Sequence, residues 1–180
     1  MISPISALSA NLGTPQRSFL WQVVIPNVIG GSGVDTTTLL LRAQSASLPE
    51  RSQGRIEIPF QQGPKLQIPG KLEYPHTWDV TFVEGEDAQI MTAFYGWAQA
   101  MVNDVTNVAS GVFPTDLATD VLFQLTSADG STVTSEYTFH TAWVQKIGQV
   151  TMDYTNQEVV RLPITFAYQS WEITNGNAVS

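Results

Sequence analysis

The chain has 180 residues, a length that suits a single domain with a buried core. Its net charge is −8, from 8 Lys and Arg against 16 Asp and Glu. This balance argues against tight nucleic-acid binding, because phosphates are neutralised by basic side chains, and the absence of cysteine excludes disulfides, thiolate zinc sites and cysteine nucleophiles.

The beginning of the chain is small and polar, and we interpret residues 1–17 as a flexible arm. It lacks a basic segment followed by an apolar run, and no later segment approaches about 18 apolar residues, so neither a signal peptide nor membrane insertion is expected. We interpret residues 18–174 as one domain and residues 175–180 as a polar tail.

Two strands are predicted at the start of the domain. Residues 18–25 alternate between apolar and polar side chains, as half-buried strands do. Their apolar face carries Phe19, Trp21, Val23 and Ile25. Residues 36–43 are β-branched and apolar, which predicts a second strand.

Residues 51–70 differ in composition from the segments on either side, because glycines and prolines surround two short strand-like runs, RIEIPF and KLQIP. They predict an extended hairpin with little core of its own, and an isolated two-stranded ribbon is marginal in water. It therefore lies against either its own domain or another copy. The candidate contact residues are Arg51, Arg55, Ile56, Ile58, Phe60, Lys65, Leu66 and Ile68.

Residues 77–84 predict a further strand, and residues 87–102 the one convincing helix. Glu86 and Asp87 stand at the start of this helix, where carboxylates favour the positive end of the helix dipole. Apolar side chains recur at helical spacing and predict a stripe packed against a sheet. The stripe includes Ile90, Phe94, Trp97 and Met101.

The last third predicts strands at residues 120–125, 132–147 and 157–173, with a tight turn at residues 128–131. Pro163 lies inside the last strand, which places it at an edge or a bulge. About eight strands and one helix without a βαβ rhythm indicate a mainly β protein. We expect an antiparallel β-sandwich or half-barrel with one flanking helix.

The sequence offers no catalytic or metal-binding constellation. His76 and His140 lack the partners of an HxH or HExxH motif, and no GxSxG, P-loop or GxGxxG motif occurs. Asp79 is expected on a strand face, opposite Trp78, rather than in a carboxylate pair. We therefore expect neither an enzyme nor a cofactor.

The order of these features resembles the tail tube proteins of contractile-tailed phages. Residues 19–23 (FLWQV) are similar to that family's first strand, and residues 42–49 to a step of small residues ending in Leu-Pro. The Ile58-Pro59-Phe60 run resembles the core of its hairpin. The TWDVTF strand at residues 77–82 and the Tyr168 to Trp171 ending complete a resemblance that covers residues 17–172.

The resemblance implies homohexameric rings that stack into a tube, in which each subunit completes one large β-barrel and residues 51–70 reach a neighbouring subunit. It implies sheath, baseplate hub and terminator partners, with the tape measure protein and DNA passing through the lumen without tight binding. It also implies a place in the virion tail after assembly in the host cytoplasm. Expected lumen or assembly-face residues are Glu57, Glu73 and Glu136.

Two alternatives stay open. A tube protein of a bacterial contractile injection or secretion system would share the fold and the ring. A monomeric β-sandwich binding module for carbohydrate would use exposed aromatic side chains, although the tryptophans fit apolar core faces better, Trp171 excepted. Charged residues make up only 13% of the chain, which fits both surfaces buried in an assembly and a β protein rich in Ser, Thr and Gln.

Overall fold

A computed structural model describes residues 16–30, 34–59, 63–108, 113–150, 152 and 158–175. Antiparallel strands dominate it, so the predicted mainly β class is confirmed. In chain order the elements are β1 (Trp21–Val24), α1 (Thr36–Arg42), β2 (Ala43–Ala46), β3 (Ser52–Ile58), β4 (Leu66–Glu73), β5 (Thr77–Val83), α2 (Gln89–Met101), β6 (Thr119–Thr126), β7 (Val133–Ile147), β8 (Arg161–Ala167) and β9 (Ser170–Asn175).

Two sheets share strand β7. Its first half pairs with β6 and β9, and β6 pairs with β1, which gives a four-stranded sheet in the order β1-β6-β7-β9 that we call sheet A. Its second half pairs with β8, followed by β5 and β2, which gives sheet B. Strands β3 and β4 form a separate two-stranded ribbon, which we call the ribbon.

The passage of β7 between the sheets is marked by a backbone bend. Pairing with β9 ends at His140, and pairing with β8 begins at Trp143. Thr141 between them has a φ of 54°, a left-handed conformation that β-branched residues avoid. Its N–H donates to Asp120 Oδ1 over 2.9 Å, so a side chain from β6 stabilises the bend.

The core lies between the two sheets and α2. The Trp78 ring stacks on Phe139 with centroids 4.4 Å apart, and its Nε1 donates to the Ser47 carbonyl over 2.6 Å. The Phe166 ring contacts Trp78, Phe94 and Trp97 at centroid distances of 5.8 to 6.0 Å. Along α2, Ile90, Phe94 and Trp97 are fully buried, and Met101 packs on this core half-buried.

Glu84, at the end of β5, caps the start of α2. Its two carboxylate oxygens accept hydrogen bonds from the N–H groups of Ile90, at 3.2 Å, and Met91, at 2.6 Å. These are amides of the first turn, which lack partners inside the helix. Of the two carboxylates predicted at this position, Asp87 accepts a hydrogen bond from Gln89 N–H over 3.5 Å, whereas Glu86 is exposed.

The strand predicted at residues 36–43 is wrong, because residues 36–42 form helix α1. Helical spacing puts Leu39 into the core, while Arg42, three residues later, donates two hydrogen bonds to Asp87 at 3.1 and 3.2 Å. This hydrogen bond from Arg42 lowers the pKa of Asp87 and raises that of Arg42. Tertiary contacts therefore override the strand preference of a short β-branched, apolar run.

Two further strand predictions need correction. Phe19 does not share the buried face of Val23 and Ile25: it precedes β1 and is 68% exposed. The strand predicted at residues 157–173 is two strands, broken where Tyr168 N–H donates to His76 O and Gln169 N–H donates to His140 O. The break carries the chain from sheet B to sheet A.

Pro163 lies on β8 between β7 and β5, and not at a bulge. It pairs with Thr81 of β5, and its carbonyl accepts a hydrogen bond from Gly148 N–H over 2.7 Å, just past the end of β7. The register shift of β7 against β8 is nearer the middle of β8, between Val144 and Lys146 of β7. Because β7 has ended at this level, Pro163 faces a local edge of the sheet on that side, the other place predicted for it.

Candidate assembly surfaces

Each of the two histidines contacts polar groups of neighbouring strands and of the chain next to them. His76 Nδ1 lies 3.2 Å from the Tyr168 carbonyl, at the start of β5. His140 Nδ1 lies 3.2 Å from Asp120 Oδ2, and its Nε2 lies 3.4 Å from Glu172 Oε1. The two ring nitrogens point apart, so these carboxylates do not converge on one point. Among the residues that the structure describes, no three His, Cys, Asp or Glu side chains are placed to hold a metal ion.

Within the described part of the chain, neither helix is long and apolar enough to cross a membrane.

The ribbon has one apolar face. Ile56 pairs with Ile68 and Ile58 with Leu66, so these four side chains share one side of the two strands. They are between 37% and 52% exposed, although apolar side chains of this size are usually buried. Because this apolar face of the ribbon is so exposed in a single copy, it is a candidate surface for contact with a second copy of the chain. Phe60, predicted to extend this face, lies outside the described residues.

The opposite face of the ribbon is charged. Glu57 accepts from Lys65 Nζ over 3.1 Å and lies 3.3 Å from an Arg55 guanidinium nitrogen. These side chains are mostly exposed, so the ion pairs contribute little to stability. The strands approach closely at their bulge, where a Cβ on Gly70 would stand 3.0 Å from the Gly54 carbonyl. A side chain at residue 70 would therefore require the Gly54 backbone to shift by a few tenths of an ångström.

The remaining predicted assembly residues lie apart from one another. Arg51, just before β3, lines a groove that β9 flanks on its other side. Glu73 ends β4, where its backbone carbonyl accepts a hydrogen bond from the Ser52 hydroxyl over 3.1 Å. Glu136 lies on the outer face of sheet A. The structure therefore places the three predicted glutamates on three surfaces: the charged ribbon face, the base of the ribbon and sheet A.

The outer face of sheet A is polar and acidic. Side chains that alternate with buried Val121, Phe123 and Phe139 point away from the core. One row crosses three strands, because Gln22 donates to Gln124 over 2.6 Å and Gln124 donates to Glu136 over 2.5 Å. A neighbouring row joins Asp120, His140 and Glu172.

This face carries carboxylates without matching cations. Asp120, Glu136 and Glu172 stand on it, whereas β1, β6, β9 and residues 133–140 of β7 contain no Lys or Arg. Sequence reasoning found Glu136 alone, because it could not tell which of the two faces of β6 and β7 points outward. The alternating burial of their neighbours supplies that information.

Both outer edges of sheet A are unpaired in the described part of the chain. Strand β1 pairs only with β6, and β9 pairs only with β7. Open edges present rows of N–H and C=O groups that can accept a further strand. Sheet A is therefore a sheet with two free edges and one buried face.

The sequence matches the family model for phage tail tube proteins over residues 14–174, and the chain belongs to this family. It is 28% identical over 142 residues to the tail tube protein of Serratia phage KSP90, an alignment that covers 78% of each chain. The resemblance predicted from the short motifs is confirmed.

Solved structures share the fold. The chain is similar to a protein in the sheath-tube complex of an extracellular contractile injection system named PVC, in its extended state, with a TM-score of 0.64 and 14% identity over 97% of this chain and 99% of that one. It is also similar to a protein in the tube-terminating cap of the anti-feeding prophage, with a TM-score of 0.61 and 18% identity over 91% of this chain and 93% of that one.

Proposed function

We propose that the chain forms homohexameric rings that stack into a tail tube, and that the lumen of this tube conducts DNA during ejection. The observation that carries the proposal is sheet A, whose two edges are both free in the described residues. Joining such edges from copy to copy around a ring removes them, as closed barrels do.

The directions of the strands support ring closure. The four strands of sheet A alternate in direction, so β1 and β9 run antiparallel to each other. Rotation about an axis along the strands preserves their direction, so β9 of one copy would meet β1 of the next in antiparallel orientation. An even number of strands per subunit thus permits one continuous antiparallel barrel.

Six copies of a four-stranded sheet would give about 24 strands, and barrels of about 16 to 18 strands already enclose an aqueous channel. The buried face of sheet A is committed to the core, so its polar face would line the lumen. Asp120, Glu136 and Glu172 would make that wall acidic. Such a wall repels phosphates and lets DNA pass without tight binding.

Stacking of rings is assigned to the ribbon. Its apolar face is open in the single copy, and the ion pairs of Glu57 keep its other face soluble. Burying the four apolar side chains against the next ring would remove their surface from water, which favours association. We propose this as the role of residues 51–70.

The tail partners are proposed from the relatives. The similar structures come from a sheath-tube complex, a tube-terminating cap and, for a protein with a TM-score of 0.64, a prophage baseplate. We propose that this chain likewise meets sheath, baseplate hub and terminator proteins in a virion tail assembled in the host cytoplasm, with the tape measure protein passing through its lumen. The likeness to the PVC protein supports a tube of a contractile injection system as the second candidate.

Negative-stain electron microscopy and light scattering of the purified chain test the proposal. Rings with a central hole, and tubes at high concentration, are expected. Deletion of Ser52 to Gln67 should leave a folded chain that forms no tubes, since the ribbon contributes nothing to the core. A wild-type chain that stays monomeric at high concentration overturns the ring, and tubes formed by the deletion variant overturn the assignment of stacking to the ribbon.

A further inference from the structure

The groove beside β9 is formed by two surfaces that are distant in sequence. The base of the ribbon gives one wall and β9 gives the other, around a volume of about 420 Å³. The lining residues are Arg51, Leu72, Tyr74, Trp171, Glu172 and Ile173. Leu72 and Ile173 are 40% and 51% exposed, so apolar surface faces water inside a concave site that we call the β9 groove.

The opposite edge of sheet A carries a protruding side chain. Phe19, two residues before β1, is 68% exposed, and its ring is in contact with the Arg17 guanidinium, 5.9 Å from the ring centroid. Two hydrogen bonds hold the backbone on either side of Phe19 in place: Leu20 N–H donates to Arg17 O, and Thr126 N–H donates to Leu20 O. An aromatic side chain held in water beside a cation is a typical anchor of a protein interface.

These two surfaces cannot meet within one copy. The Phe19 surface is at the β1 edge and the β9 groove is at the other edge, with β6 and β7 between them. A contact between them therefore joins two copies head to tail, and such contacts either close into rings or extend as filaments.

The two surfaces complement each other in chemistry. Trp171 and Ile173 project from the same face of β9 and offer the Phe19 ring apolar contact, and Arg51 on the facing wall suits the face of an aromatic ring. We propose that the β9 groove binds Arg17 to Phe19 of a second copy of this chain, with the Phe19 ring between Ile173 and Arg51.

This inference rests on the proposed ring and names the side chains of its subunit contact. The test uses two variants of the full chain, Phe19→Glu and Ile173→Glu, each of which introduces an anion at one of the two surfaces. Both positions are more than half exposed, so the variants should fold, which thermal unfolding by circular dichroism checks. Each variant alone should lose rings at a concentration where the wild type is fully assembled.

Mixing the two variants discriminates a head-to-tail contact from other effects. The Phe19→Glu chain keeps an intact groove and the Ile173→Glu chain keeps an intact Phe19, so an equimolar mixture should form heterodimers and no rings in native mass spectrometry. Rings formed by either variant alone, or folded variants that stay monomeric when mixed, would overturn the inference while leaving the proposed ring intact. A monomeric wild type would instead refute the ring itself.

Engineered cysteines give a second readout, because the chain has none of its own. Phe19→Cys combined with Ile173→Cys should give a ladder of disulfide-linked oligomers on a non-reducing gel. A matched control combines Phe19→Cys with Tyr95→Cys, which is half-exposed on α2 and outside both surfaces, and should give no ladder. If the Phe19→Cys/Ile173→Cys variant forms rings of the wild-type size but gives no ladder, the result counts against the contact.

Discussion

The core and the ribbon use similar apolar side chains in opposite surroundings. Phe166 and Ile164 on β8 are fully buried between two sheets, whereas Ile56 and Ile68 on the ribbon face water at 52% and 37% exposure. The core accounts for the stability of the single copy, and the ribbon adds two strands with almost no burial of their own. The apolar pattern of a strand therefore does not by itself identify the surface that will cover the strand.

Truncation in the core should have the largest effect. Phe166→Ala removes a buried ring that contacts Trp78, Phe94 and Trp97. We expect the free energy of unfolding to fall by about 3–5 kcal/mol, the usual cost of such a cavity. Urea unfolding followed by tryptophan fluorescence measures it, and a loss below about 1 kcal/mol would show that the core is less tightly packed than the structure indicates.

Glu84→Ala should have the next largest effect. The carboxylate is nearly buried and accepts hydrogen bonds from Ile90 and Met91, so its removal leaves two amides of α2 without partners. We expect a loss of about 1–2 kcal/mol in unfolding free energy. Glu86→Ala, two residues away and exposed, is the matched control and should stay within about 0.5 kcal/mol of wild type. Equal effects of the two variants would contradict the assignment of the cap.

Substitutions in the ribbon should separate stability from assembly. The double variant Ile56→Ser/Ile68→Ser replaces two residues that lie directly opposite each other on the apolar face of the ribbon. The free energy of unfolding should change by less than about 1 kcal/mol, because both side chains are partly exposed. Tube length in electron micrographs should fall sharply. Gln67→Ser on the charged face is the control, and equal shortening by both variants would mean that the apolar face is not the contact.

The smallest effect is expected at the exposed turn between β6 and β7. Hydrogen bonds from Ser127 and Ser131 lower the pKa of Asp129 from 3.8 to about 2. A lowered pKa in the folded state means that this group stabilises the fold above about pH 4, and that the contribution is lost as the pH falls from about 4 to about 2. The difference in melting temperature between wild type and Asp129→Asn should therefore be largest at neutral pH and vanish near pH 2.

Alternation and turn chemistry predicted most of the strands. Trp78, Val80 and Phe82 are buried on β5 as their spacing indicates, and Gly130 adopts the positive φ expected of the Asp-Gly turn. The two strands of the hairpin pair as the sequence predicted. These features depend on neighbours along the chain or on one facing strand, so local pattern is sufficient to find them.

Features that depend on distant contacts could not be predicted. Residues 36–42 form a helix because Leu39 meets the core and Arg42 meets Asp87, partners that the local pattern does not contain. Phe19 fits the alternation of β1 but lies before the strand begins. The acidic face of sheet A was missed except for Glu136, since assigning it requires knowing which strands are neighbours.

Strand β7 is one unbroken length of backbone that belongs to both sheets. A mechanical load applied to sheet A through β6 or β9 therefore reaches sheet B along covalent bonds, without depending on the packing of side chains between the layers. The bend at Thr141 is the point where the direction of that load changes. The Asp120 side chain that accepts a hydrogen bond from Thr141 N–H ties this point of β7 to the neighbouring strand β6.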